Sequence, residues 1–88
     1  MKDQSNFDDF RNQLQDHYKF PTLYLFKFIV PAEKSDDFKI LFPDIQFEPK
    51  PSKTGKYISF SSKHRVMSEE EVIEIYKKAY TIDGIISL

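Results

Sequence analysis

The chain has 88 residues, 40% hydrophobic and 31% charged, and a net charge of -1. That describes one ordinary globular domain with no whole-chain attraction to nucleic acid or membrane. Two glycines are too few for a dinucleotide fingerprint or a P-loop, and the lack of cysteine excludes disulfides, zinc-thiolate sites and a thiol nucleophile.

Phe7, Phe10, Leu14 and Tyr18 recur at helical spacing. They predict an amphipathic helix over 7–18, capped by Asn6, with Asp9 in its first turn. Pro21 ends that helix. Thr22 to Val30 is rich in β-branched and aromatic residues and reads as a strand. Tyr24, Phe26, Phe28 and Val30 share its core face; Leu25, Lys27 and Ile29 share the other.

Ser35 is the expected cap of a short helix over 36–42, closed by Pro43. Ile45 to Pro51 reads as a second strand. Its Pro49 and Pro51 cannot donate to a ladder, which assigns it to an edge. The turn Pro51-Ser52-Lys53-Thr54-Gly55 leads into a long third strand, 56–66. Ile58, Phe60, Ser62, His64 and Val66 lie on one face of it, and Tyr57, Ser59, Ser61, Lys63 and Arg65 on the other.

Ser68 with Glu71 forms a capping box before a helix over 69–80, whose stripe is Val72, Ile75, Tyr76 and Ala79. A last short strand is expected over 82–88. The order is an N-terminal helix and then β-α-β-β-α-β. Two right-handed crossovers joined by a hairpin give an α+β, ferredoxin-like plait. Its four-stranded antiparallel sheet has the order 4-1-3-2, with two helices on one face. Residues 1–19 form an extension and 20–88 the domain.

Phe20-Pro21-Thr22, Phe26-Lys27, Lys50-Pro51-Ser52, Gly55, Tyr57, Ser59 and Tyr76 together resemble the YbeD-like family of small bacterial proteins of unknown function. The resemblance covers Phe20 to Leu88. Lys53-Thr54 departs from the Ser-Lys usual in the family's hairpin, and the helix over 36–42 is about two turns shorter than in better-known members. The resemblance implies a fold similar to the ACT regulatory domains. It carries over no established activity.

Neither histidine has metal-ligand spacing: His17 lies on the first helix and His64 on the third strand. Ser59, Ser61, Ser62, Lys63 and His64 sit together in sequence, but adjacent strand residues point to opposite faces and no strained turn presents a serine. No catalytic residue, metal or cofactor is assigned, and the expectation is a protein that is not an enzyme.

The charge pattern is more informative. From Pro49 to Val66 the chain carries Lys50, Lys53, Lys56, Lys63 and Arg65 and no acidic residue. This basic hairpin adjoins an open sheet face expected to present Leu25, Lys27, Ile29, Tyr57, Ser59, Ser61, Lys63, Ile85 and Ser87. The expected role is a non-catalytic regulatory or protein-interaction module, acting through Leu25, Lys27, Ile29, Lys50, Ser52, Lys53, Lys56, Tyr57 and Lys63.

An ACT-like small-molecule sensor, with Pro51 to Tyr57 as an anion contact, is the alternative. RNA binding ranks below it. The third strand offers Tyr57, but the outward residues of the first strand include no aromatic on which a base can stack. The partner is expected to be a protein, with a small anionic metabolite second, nucleic acid and membrane disfavoured, and the chain itself a monomer or weak dimer. The polar, acidic start MKDQSNFDDF and the missing cysteines favour the cytoplasm. Whether the N-terminal helix covers the open face is left undecided by sequence.

Overall fold

The computed structural model describes the backbone of residues 4–88 and the side chains from Phe7 onward. The order is α1 (Gln4–His17), β1 (Thr22–Pro31), a 3-10 turn (Ala32–Lys34), α2 (Ser35–Leu41), β2 (Glu48–Pro51), β3 (Tyr57–Val66), α3 (Glu69–Ala79) and β4 (Ile86–Ser87). The architecture is α+β: one open, antiparallel four-stranded sheet and three helices. From one edge the strands run β2-β3-β1-β4, which is 4-1-3-2 counted from the opposite edge.

The sheet is built around one long pairing. β1 and β3 match residue for residue from Thr22↔Val66 to Pro31↔Tyr57. The register places Phe26, Phe28 and Val30 of β1 and Phe60 and Val66 of β3 on the same buried side. Those five side chains are at most 1% exposed. Against them pack Phe38 of α2 and Val72, Ile73, Ile75, Tyr76 and Ala79 of α3, all buried. Aromatic rings dominate the seam. Phe38 stacks on Phe60 with centroids 4.5 Å apart, and Tyr76 meets Phe28 at 5.5 Å and Phe10 at 5.3 Å.

Helix α1 lies beside α3 in the helix layer. Leu14 is buried in the core, and Phe7 and Phe10 pack against it. Arg11 ties the two helices together, its Nε 2.6 Å and Nη2 3.1 Å from the two Glu70 carboxylate oxygens, while Nη1 holds Asp8 at 2.8 Å. The ammonium of Lys77 stands 5.4 Å from the centre of the Phe7 ring. The open face of the sheet is therefore not covered by α1.

Several local expectations need correction. Helix α1 begins at Gln4, so Asn6 is inside it and not its cap; the Asn6 side chain, like residues 1–3, lies outside the described set. Tyr18 falls just past the helix, closing a last turn with its N–H to Leu14 O at 2.9 Å. Lys34, not Ser35, is the N-cap of α2, because the 3-10 turn runs directly into the helix. Strand β2 is four residues and not seven: Ile45 and Phe47 turn in against the core before pairing begins at Glu48.

Strand β4 is two residues long and pairs only with Phe28 and Ile29. The expected strand over 82–88 fails because Ile82 is buried in the turn after α3 and Gly84, at φ +81°, reverses the chain. The capping box forms in modified shape. The Glu71 N–H donates to Ser68 Oγ at 3.3 Å, but Glu71 Oε1 accepts from the Met67 N–H at 2.7 Å.

Candidate functional site

The open face follows from the β1–β3 register. On β1 it presents Leu23, Leu25, Lys27 and Ile29; beside them on β3 stand Arg65, Lys63, Ser61 and Ser59. The register of β2 adds Glu48 and Lys50, opposite Ser61 and Ser59. On β4, Ile86 pairs with Ile29 and joins this face.

Ile85 and Ser87 do not lie on this face. Ile85 packs against the core, and Ser87 pairs with the inward Phe28 and shares a 2.9 Å hydroxyl–hydroxyl hydrogen bond with Tyr80. The parity is shifted by one residue because the turn at Gly84 delays the strand, and a one-residue slip exchanges the two faces.

Among the described residues, Leu23, Leu25, Tyr57, Ile86 and Leu88 are five of the nine exposed large hydrophobics. Leu88 continues the β4 alternation, its N–H donating to Lys27 O at 2.9 Å. So the exposed apolar surface gathers on one side of the sheet, interspersed with Lys27, Lys50, Lys63 and Arg65. Leu23 and Ile86, which the sequence reading did not select, belong to it; their alternation with Leu25 and the later start of β4 are the signals that place them there.

The hairpin residues are arranged differently. Lys50, Ser52, Lys53, Lys56 and Tyr57 are all exposed. The Ser52 hydroxyl is engaged by the turn itself, accepting from the Tyr57 N–H at 3.2 Å, while the Ser52 N–H donates to Tyr57 O at 2.9 Å. Gly55 at φ +76° completes the turn, its N–H donating to Ser52 O at 3.0 Å. Lys53 and Lys56 lie in the turn between β2 and β3, beyond the strand residues of the face that carries Leu25, Lys27, Ile29 and Lys63.

On the helix side the polar groups serve packing. The Tyr24 and Tyr76 hydroxyls lie 3.3 Å apart, and burial, with the neighbouring hydroxyl second, raises the Tyr76 phenol well above its ordinary value. Burial likewise raises Tyr24. Arg11 holds the Glu70 carboxyl below the usual carboxylate range, through its hydrogen bond first. His64 Nε2 stands 3.8 Å from Glu71 Oε2.

A shallow groove beside β2 is lined by Gln46, Phe47, Glu48, Ser61, Lys63 and His64, among others. No cluster of three or more metal-ligating side chains occurs among the described residues. None of the described helices is long and apolar enough to cross a membrane. The chain matched no family model, no curated protein and no solved structure.

Proposed function

We propose that this chain is a non-catalytic protein-interaction module of ferredoxin-like, ACT-like architecture, as its resemblance to the YbeD-like family implies, and that it acts through the open sheet face. One observation carries the reading. The face that no helix covers holds Leu23, Leu25, Tyr57, Ile86 and Leu88 exposed among Lys27, Lys50, Lys63 and Arg65. An apolar surface set among cations suits a partner segment that alternates apolar and acidic side chains. Among the described strand residues, Glu48, at the β2 edge, is the one acid on this face.

The Leu25-Lys27-Ile29 row and the Tyr57-Lys63 row are the proposed contact. Lys50 extends it at the edge, with Lys53 and Lys56 adding positive charge at its rim beside the neutral Ser52. ACT-like sensing receives less support, since Pro51 to Tyr57 is exposed at every position and Ser52 is committed to the turn. RNA binding would find, among the described residues of the open face, one exposed ring to stack on, Tyr57.

The test is an amide-resolved NMR titration with a synthetic peptide alternating leucine and glutamate. The expected result is shifts at Leu25, Lys27, Ile29, Tyr57 and Lys63, lost in the Tyr57→Ala, Lys63→Glu double variant while the rest of the spectrum stays in place. Shifts confined to 51–57 on adding phosphorylated metabolites overturn this reading in favour of sensing. No response of the face to the peptide also overturns it.

A further inference from the structure

Among the described residues, three stretches of four or more residues of strand edge have no ladder partner, and they are not equivalent. Strand β2 forms one edge and is blunted by Pro49, Lys50 and Pro51. On that same side, β3 runs past the end of β2 from Ser62 to Val66, where Lys63, His64 and Arg65 guard it. The third stretch belongs to β1. Because β4 pairs only with Phe28 and Ile29, the edge from Thr22 to Phe26 has no neighbouring strand. Its sequence, Thr-Leu-Tyr-Leu-Phe, holds no charge, no proline and no glycine.

The backbone direction on that edge is fixed. Lys27 O accepts from the Leu88 N–H, so Lys27 points its carbonyl toward the β4 side. Alternation turns the N–H and C=O of Leu25 and Leu23 the same way. Among the described residues, the hydrogen bond found there is a long one, 3.4 Å from Thr22 Oγ1 to Leu23 O. The side chains beside this edge are 59% exposed at Leu23 and 57% at Leu25.

We infer that the Thr22–Phe26 edge of β1 pairs antiparallel with the same edge of a second copy, joining two sheets into one. The register that satisfies the edge is self-complementary. Tyr24 faces the second copy's Tyr24 across a two-fold axis, and each Leu23 exchanges both backbone hydrogen bonds with the second copy's Leu25. Leu23 and Leu25 of both copies then meet on the open face, and the tyrosines meet on the helix side.

Charge favours this arrangement over stacking the two open faces. Along a row of the joined sheet the order is Arg65, Leu23, the second copy's Leu25 and the second copy's Lys63. The cations are three strand spacings apart, about 14 Å, beyond the screening length of about 8 Å. Face-to-face packing instead sets the two backbones about 10 Å apart, with Lys27, Lys63 and Arg65 of both copies reaching into the gap between them, where their charges approach within the screening length and away from solvent. The paired stretch is short, so the dimer is weak and concentration-dependent. This inference stands on the length of β4 and not on the partner proposed above.

Sedimentation of the full chain through a dilution series up to about 1 mM tests it. The expected mass rises toward twice the 10.5 kDa of the chain. Hydrogen exchange at Leu23 and Leu25 slows with concentration, while Tyr24 and Phe26, bonded to β3, stay protected throughout. Leu25→Pro deletes the outward N–H and leaves the bonds to β3; it is expected to hold the chain at monomer mass. Leu23→Lys with Leu25→Lys does the same should the proline variant fail to fold.

The Tyr57→Ala, Lys63→Glu variant is expected to keep the dimer, which separates this test from that of the partner surface. A chain of monomer mass at every concentration overturns the inference. So does a dimer that survives the edge variants, or one whose Leu23 and Leu25 amides exchange unprotected.

Discussion

The two edges of this sheet differ in how they are finished. Strand β2 is exposed at every position, and its four residues include two prolines and a lysine. Strand β1 is ten residues long, with Phe26, Phe28 and Val30 fully buried on one side, yet half of its outer edge is bare. An edge strand that contributes nothing to the core tolerates proline and charge at little cost. A strand that supplies much of the core needs apolar and aromatic residues, and those same residues leave its edge adhesive when its neighbour is short. Edge protection and core formation thus compete for the same sequence positions, and here β1 is given to the core.

Breaking the core side of β1 has the largest expected effect. Phe28 is fully buried and contacts the Phe38, Phe47 and Tyr76 rings. Phe28→Ala is expected to cost about 3–5 kcal/mol, measured by denaturant unfolding. A loss below about 1 kcal/mol shows that β1 is held by its ladder with β3 and not by its buried face.

The seat of β4 on β1 gives a smaller effect. Gly84 lies at φ +81°, and a Cβ added there meets Pro31 Cγ at 3.0 Å. Gly55 lies at φ +76° in open space. Both alanine substitutions carry the left-handed strain of about 1–2 kcal/mol. Gly84→Ala adds a collision with a ring that cannot swing away, so its melting temperature is expected to fall further than that of Gly55→Ala. Equal losses remove the close packing of the Gly84 turn on Pro31 from the account.

The smallest effect concerns the layer behind β1. Arg11 of α1 grips Glu70 of α3 and lowers that carboxyl's pKa. A lowered native pKa means the contribution is present above the unfolded value and is lost as pH falls through the folded one. Glu70→Gln is therefore expected to flatten the acid side of the stability–pH profile and leave the alkaline side unchanged. The pair is exposed, so added salt is expected to shrink the difference.

Much of the fold is legible in the sequence because its signals are periodic. The β1 alternation, the α3 stripe and the Ser68 cap each specify an element without tertiary help, and the prolines of β2 specify an edge. The candidate face was half legible. Leu25, Lys27, Ile29, Tyr57 and Lys63 follow from alternation once their strands are placed. Leu23 belongs with them by its alternation with Leu25, and Ile86 stands where Ile85 is expected because the parity of β4 depends on where a turn ends.

The sequence by itself determined the core face of β1, the buried stripe of α3, which strand is blunted and that the hairpin is basic, since composition and period are local properties. The tertiary structure alone decided that α1 lies against α3, that the sheet face stays open and that β4 stops after two residues. Those outcomes depend on how the surfaces of separate elements fit together. Phe10 and Leu14 find Tyr76 and the core only after α3 has docked on the sheet. The turn at Gly84 that delays β4 seats against Pro31, more than fifty residues away in the chain.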